Sequence, residues 1–165
     1  MCGIAGFSLF NHPEGNEASL IKMGNAIYHR GPDAGGTFID DGVGLCHRRL
    51  SIIDLSEAGN QPMFSRCGNY VIVFNGEIYN FLELRETLEQ EGVVFNSHSD
   101  TEVILALYEK EGVECIHRLN GMFAFALWDK QQGQLFIARD RLGKKPLYYF
   151  SKDGRFAFAS EIKAI

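Results

Sequence analysis

Two features that mark large classes of protein are missing from this sequence. No run of basic residues exceeds Lys144-Lys145 and the formal net charge is -5, so nothing suggests binding to nucleic acid or to anionic lipid. The longest apolar stretch, residues 122–128, is far below the roughly 20 residues that a membrane-spanning helix needs. A basic region followed by a long apolar segment is also lacking at the N-terminus. We therefore expect no nucleic acid partner, no membrane association and a cytoplasmic location.

Cysteine is scarce and scattered. The four cysteines contain no CxxC pair, which argues against a zinc site or a redox motif and, in a reducing cytosol, against disulfides. We expect free thiols and no metal site. The remaining composition is that of a globular protein, since 45% of the residues are hydrophobic and the 13 phenylalanines favour a sheet-rich core. A length of 165 residues suits one domain.

The first half of the chain combines strand patterns with one helix pattern. Apolar spacing predicts strands at Gly3–Phe10, 37–39, 43–47 and 70–74, and a helix at Ala18–His29. Asp41-Gly42 predicts a tight hairpin turn. Asn75-Gly76 follows a predicted strand, where a turn is the ordinary interpretation.

Helix patterns fill the middle of the chain and strand patterns return after it. Asn80 with Glu83, and Ser99 with Glu102, have the spacing of a capping box at a helix N-terminus. Strands are predicted at 122–128, 134–138, 147–150 and 156–159, with Asp153-Gly154 as a turn. The strand at 122–128 is apolar on both faces and must be covered on both sides. This pattern predicts an α+β domain in which two sheets form a sandwich with helices outside.

Cys2 directly follows the initiator methionine in MCGIAGF. Removal of Met1 would leave the α-amine of Cys2 beside its own thiol. An α-amine has a pKa of roughly 7.7 to 8.0 and a thiol about 8.5, so near neutral pH the amine can take the thiol proton. This combination is typical of an N-terminal nucleophile that needs no histidine. The alternative is that Cys2 is merely a small buried residue at the start of a strand.

Several other residues could complete such a site. The Asn75 amide and the Gly76 backbone N–H could both point at a developing oxyanion. Arg48 or Arg49 could bind a carboxylate through two hydrogen bonds, although surface arginines usually do nothing so specific. Glu77 could pair with an ammonium group, or could simply be solvated. Asp100 could do the same, although helix capping is the ordinary explanation for an acid at a helix start.

Nine segments taken together resemble the glutaminase domain of glutamine-hydrolysing asparagine synthetases, which are class II glutamine amidotransferases. In chain order they are MCGIAGF, HRGPD, HRRLSIIDLS, GNQPM, FNGEIYN, SDTEVILALYE, LNGMFAFALWD, ARDRLGKKPLYY and FASEIKAI. The resemblance covers essentially all 165 residues. It implies a four-layer αββα sandwich of two antiparallel sheets, of the N-terminal-nucleophile hydrolase type.

The resemblance also implies a reaction and a role for particular residues. L-glutamine would be hydrolysed to L-glutamate and ammonia through a γ-glutamyl thioester on Cys2. Asn75 and Gly76 would form the oxyanion hole, Arg49 would bind the substrate carboxylate, and the two acids would receive the ammonium group. The matched positions are Cys2, Asn75 and Gly76 as catalytic groups, Arg49, Ile53, Glu77 and Asp100 around glutamine, and Arg30 and Gly31 as orienting residues.

Members of this family continue into an ATP-dependent synthetase domain, so residues 1–165 are interpreted as an excised or autonomous glutaminase domain. No metal or cofactor is expected here, since ATP and Mg²⁺ belong to the synthetase domain. The expected partners are L-glutamine, that C-terminal domain and, through exposed apolar surface, a second copy in a homodimer. The ammonia would amidate aspartate, but other acceptors such as a sugar carboxylate stay open. So do a cysteine amidohydrolase acting on a larger amide and a non-catalytic regulatory domain.

Overall fold

The structure is a computed structural model that describes residues 1–8, 16–51 and 56–165. Its strands form two antiparallel sheets. The first sheet has the order β2-β3-β1-β9-β8, with β1 at Gly3–Ser8, β2 at Ala34–Asp40, β3 at Val43–Arg49, β8 at Tyr148–Lys152 and β9 at Arg155–Ala159. The second has the order β4-β5-β6-β7, with β4 at Met63–Phe64, β5 at Tyr70–Ile78, β6 at Gly121–Asp129 and β7 at Gln134–Arg139.

Three α-helices cover the outer faces of the sheets in the described part of the chain. Helix α1 (Glu17–Ala26) packs on β1 and β3, while α3 (Asp100–Glu111) packs on β5 and against α2 (Phe81–Gln90). The layers are therefore helix, sheet, sheet and helices, which confirms the predicted αββα sandwich. None of the described helices is both long and apolar enough to cross a membrane.

Strand β6 shows why this sequence needs four layers. Ala124, Ala126 and Trp128 face the first sheet and join the core between the sheets. The alternate residues face α2 and α3 in a second core: Phe123, Phe125 and Leu127. The prediction that this strand is covered on both sides is confirmed.

Both predicted tight turns are confirmed. Asp41 and Gly42 have φ values of 42° and 76°, and Asp153 and Gly154 have φ values of 52° and 73°. Positive φ at both central residues is the requirement of the type I′ turn, whose twist matches that of the paired strands.

The prediction of a turn at Asn75-Gly76 is wrong. Both residues lie inside β5, where Asn75 pairs with Ala124 and Gly76 with Phe123. A Cβ at position 76 would collide with the backbone carbonyl of Met122, so glycine serves a close approach between strands. Pairing with β6 overrides the local turn preference of the dipeptide.

The predicted capping box at Asn80 is also wrong. The Asn80 side chain makes no hydrogen bond to the start of α2. Its Nδ2 donates to the Arg118 carbonyl at 3.0 Å, and its Oδ1 accepts from the Asn120 N–H at 3.0 Å. Asn80 therefore ties α2 to the segment that leads into β6.

The second predicted capping box is half right. Ser99 Oγ accepts from the Thr101 N–H at 3.1 Å and so caps α3. The Glu102 carboxylate instead accepts from the backbone N–H groups of Asn96 and Ser97. It thereby fixes the loop that delivers the chain to the start of α3.

Candidate active site

Cys2 immediately precedes β1 and lines a cleft together with residues of β3, of β5 and of the start of α3. Its Sγ accepts a hydrogen bond from the Leu50 N–H at 3.3 Å and lies 3.5 Å from the Leu50 carbonyl. Five of the residues matched by the family's motifs line this cleft: Cys2, Arg49, Gly76, Glu77 and Asp100. Ile53 lies outside the described residues.

The HRGPD segment packs directly behind Cys2. Arg30 Nε donates to the Cys2 carbonyl at 3.0 Å, and Arg30 Nη1 pairs with Glu161 at 3.0 Å. Burial raises the pKa of Glu161, but hydrogen bonds from Arg30, Lys163 and His29 outweigh it and lower that pKa to about 2. A charged carboxylate thus fixes the guanidinium that holds the backbone of Cys2.

Gly31 follows in a tightly packed position. A Cβ there would collide with the backbone of Arg48 and Arg49. Glycine at this position lets the HRGPD segment lie against the end of β3, next to the first residues of β1.

Successive arginines on β3 point to opposite faces. Arg49 enters the cleft, is 8% exposed, and donates from Nη1 to the Ser56 carbonyl and to Asn60 Oδ1, both at 2.8 Å. Arg48 lies on the α1 side, where it donates to the carbonyl of Gly24 at 3.1 Å. The alternation of a strand therefore selects Arg49 as the arginine in the cleft.

Asn75 is buried in β5 with 1% of its surface exposed. Its Nδ2 has no hydrogen-bond partner among the described residues. A buried donor left without a partner costs about 1–3 kcal/mol, so such a group calls for an explanation. Next to it on the same strand, Gly76 lines the cleft.

Asp100 is the first residue of α3 and is 4% exposed. Its Oδ2 accepts from the Ile78 N–H at 3.0 Å. Burial raises its pKa to about 6, against the opposing effect of backbone hydrogen bonds from Ile78 and Thr101, and nearby Glu77 raises it further. Within the described ranges no basic side chain pairs with Asp100. At neutral pH the cleft thus holds a buried carboxylate that no basic side chain of residues 1–8, 16–51 or 56–165 neutralises.

Sequence reasoning gave no role to His47 and Gln61, which are among the other polar residues that line the cleft. His47 Nε2 lies 3.1 Å from the Phe74 carbonyl, and Gln61 Oε1 accepts from the Phe74 N–H at 2.6 Å. His47 shares its strand face with Leu45 and Arg49, so the alternation of β3 was the available signal. No local pattern pointed to Gln61.

The glutamine amidotransferase domain family matches the chain over residues 1–165. The chain belongs to this family. It is 49% identical over 170 residues to asparagine synthetase [glutamine-hydrolyzing] 1 of Bacillus subtilis, covering 100% of this chain and 26% of the relative. It is 42% identical over 179 residues to amidase chry2 of Gibberella zeae, covering 99% of this chain and 26% of the relative. This glutamine amidotransferase domain thus spans about a quarter of the length of these relatives.

Solved structures show the same fold. The glutamine phosphoribosylpyrophosphate amidotransferase from B. subtilis, complexed with ADP and GMP, matches with a TM-score of 0.81 at 22% identity. The match covers 99% of this chain and 42% of that one. The predicted fold, a sandwich of two antiparallel sheets with helices outside, is therefore confirmed.

Proposed function

We propose that this amidotransferase domain hydrolyses L-glutamine to L-glutamate and ammonia on Cys2, once Met1 has been removed. The observation that carries the proposal is the content of one cleft. It combines an accessible thiol with a buried cation, Arg49, and a buried carboxylate, Asp100, that pairs with no basic side chain in the described part of the chain. A free amino acid has the complementary charges, since its α-carboxylate can pair with Arg49 and its α-ammonium group with Asp100. Its side chain can then extend to the Cys2 thiol.

Substrate binding follows from these charges. The Arg49 guanidinium, held by Ser56 and Asn60, is oriented to bind the α-carboxylate of glutamine through two hydrogen bonds. Asp100 is mostly ionised at pH 7 because its pKa is about 6, so it pairs with the α-ammonium group. Glu77 at the exposed edge of the cleft adds a second negative charge on the same side.

The chemical steps use the terminal residue as both nucleophile and base. The Cys2 α-amine takes the thiol proton, and the sulfur attacks the side-chain amide carbon of glutamine. The C–N bond then breaks, the amine returns the proton to the leaving ammonia, and a γ-glutamyl thioester remains. The same amine activates a water molecule that hydrolyses the thioester to glutamate and restores the thiol.

Negative charge develops on the side-chain carbonyl oxygen of the substrate when sulfur attacks the amide, and again when water attacks the thioester. The unpartnered Asn75 Nδ2 and the Gly76 N–H are the donors proposed for this oxygen, and such a donor typically contributes about 3 kcal/mol. Arg30 and Gly31 act earlier, by holding Cys2 in place. With Met1 attached, the nitrogen of Cys2 is an amide nitrogen and cannot serve as a base.

The destination of the ammonia is proposed from the relatives. The name of the B. subtilis relative supports delivery to an ATP-dependent amidation such as aspartate to asparagine, in a C-terminal synthetase domain that would bind ATP and Mg²⁺. The different name of the G. zeae relative keeps another acceptor as the second candidate. A homodimer, a cytoplasmic location and a glutaminase step without metal or cofactor stay predictions.

Glutamate release from glutamine tests the proposal. The wild-type chain is compared with Cys2→Ala and with Cys67→Ala, which removes an exposed cysteine outside the cleft. Intact mass records whether Met1 is absent. We expect release by wild type and Cys67→Ala and none by Cys2→Ala. Equal release by all three chains, or none from a wild-type chain that begins at Cys2, would contradict the proposal.

A further inference from the structure

Along one edge of β5, pairing with β4 reaches only as far as Ile72, and side chains bond to the backbone beyond that residue. Met63 of β4 pairs with Ile72, and β4 begins at that residue. Beyond Ile72 the backbone groups of alternate residues point to the same open side, because strand residues alternate in direction. Phe74, Gly76 and Ile78 are those residues.

The backbone of Phe74 is held there at both ends. Its N–H donates to Gln61 Oε1 at 2.6 Å, and its carbonyl accepts from His47 Nε2 at 3.1 Å. Two residues further along this edge than Gly76, the Ile78 N–H donates to Asp100. Gly76 therefore sits between two anchored positions, and Asn75 lies directly between Phe74 and Gly76.

We propose that His47 and Gln61 are positioning residues of the glutaminase reaction, which clamp the Phe74 backbone and thereby hold the two oxyanion donors at Asn75 and Gly76. The inference rests on the proposed function. Preorganised donors stabilise a transition state only when their positions are fixed to a fraction of an ångström. A buried polar pair on Phe74 supplies that constraint where, among the described residues, no strand pairs with this edge.

The chemistry of His47 suits this role. The ring is fully buried, and its Nδ1 has no hydrogen-bond partner in the described part of the chain. A neutral ring with its proton on Nε2 makes the bond to Phe74 and leaves Nδ1 as an acceptor. Burial lowers the pKa of His47 to about 3. The hydrogen bond to Phe74 opposes this shift, and the positive charge of Arg49 lowers the pKa further. His47 thus remains a single neutral donor over the working pH range.

Gln61 has a second bond that His47 lacks. Its Nε2 donates to Thr101 Oγ1 at 3.2 Å, and Thr101 follows Asp100 on α3. Gln61 therefore connects the strand of the oxyanion donors to the helix of the ammonium-binding acid. Loss of Gln61 should affect both turnover and substrate binding, whereas loss of the His47 donor should affect turnover alone.

A pair of substitutions at His47 separates positioning from packing. Glutamine carries an amide nitrogen about as far from the backbone as Nε2, whereas asparagine reaches only the position of Nδ1. His47→Asn should lower kcat by about 10- to 100-fold with KM within about twofold, the size expected for a small misplacement of catalytic groups. His47→Gln should recover most of that loss. Alkylation of Cys2 by iodoacetamide, which needs no oxyanion hole, should proceed equally in all three chains.

Equal losses in the two His47 variants, no loss in either, or a parallel loss of Cys2 alkylation would overturn the role of His47. Gln61→Met should lower kcat and also raise KM, and unchanged kinetics would overturn the role of Gln61. If wild type releases no glutamate, the proposed function fails separately, and amide hydrogen exchange then tests the clamp itself. Exchange at Phe74 should be slow in wild type and much faster in Gln61→Met, and equal rates would overturn the clamp.

Discussion

The Sγ atom of Cys2 lies 3.3 Å from the backbone nitrogen of Leu50, the residue that follows Arg49. These residues are 48 positions apart, and the pairing of β1 with β3 brings them together through the register Gly3↔Arg48. One strand pair thus sets the proposed nucleophile beside the proposed carboxylate-binding residue. Arg30 adds a second constraint from the opposite side through the Cys2 carbonyl.

Replacement of Asn75 by alanine should mainly slow the chemical step. Its Nδ2 has no partner among the described residues, so in the proposed reaction its hydrogen bond forms with the substrate oxygen and strengthens as charge develops. We expect kcat to fall by about 10²–10³-fold with little change in KM. Steady-state glutamate release measures both, and a variant that raises KM at constant kcat would show that Asn75 only binds the substrate.

The two neighbouring arginines provide a matched pair of substitutions. Arg49→Lys removes the planar fork from the cleft, so KM for glutamine should rise by about 10-fold or more while kcat changes less. Arg48→Lys makes the same chemical change on the α1 side and should leave KM unaltered. Equal effects of both substitutions on KM would contradict the assignment of the carboxylate to Arg49.

The ionisation of Asp100 should appear in the pH dependence of kcat/KM. Below its pKa of about 6 the carboxyl loses the charge that pairs with the substrate ammonium. The Cys2 α-amine is protonated already at higher pH, and this separately lowers kcat/KM. We expect the slope of log kcat/KM against pH to steepen from about one to about two below pH 6. In Asp100→Asn the slope should stay near one, and a wild-type slope of one throughout would refute the role of Asp100.

The buried Asp100 carboxylate should also lower the free energy of unfolding of the protein. Its pKa is raised from 3.8 to about 6 in the fold, so the penalty for burying its charge is absent below pH 3.8 and complete above pH 6. At about 1.4 kcal/mol per pKa unit, Asp100→Asn should stabilise the protein by up to about 3 kcal/mol at pH 7. At pH 3.5 the difference should vanish. Urea unfolding at both pH values provides the comparison, and a destabilised variant at pH 7 would show that burial is not the dominant effect.

Local patterns predicted the layers of the fold well. The two-faced apolar character of β6 required cover on both sides, and the paired turn residues at 41–42 and 153–154 required positive φ. These features depend on neighbours in sequence, where alternation and turn chemistry act directly. The resemblance to the family then supplied the roles that such patterns leave open.

Contacts between distant segments were the part that sequence reasoning could not reach. Asn75-Gly76 has the composition of a turn, and only its pairing with β6 keeps it extended. The choice between Arg48 and Arg49 depended on which face of β3 meets the cleft. Gln61 makes its bond to Phe74 across a chain reversal, so no spacing in the sequence reports it.

Removal of Met1 tests most directly whether Cys2 acts as an N-terminal nucleophile. Chain purified with Met1 attached would be treated with methionine aminopeptidase, while intact mass and glutamate release are followed together. Activity should be absent at the start and rise in proportion to the fraction of chains that begin at Cys2. Full activity before removal, or none after complete removal, would contradict the proposal that the α-amine of Cys2 is the base.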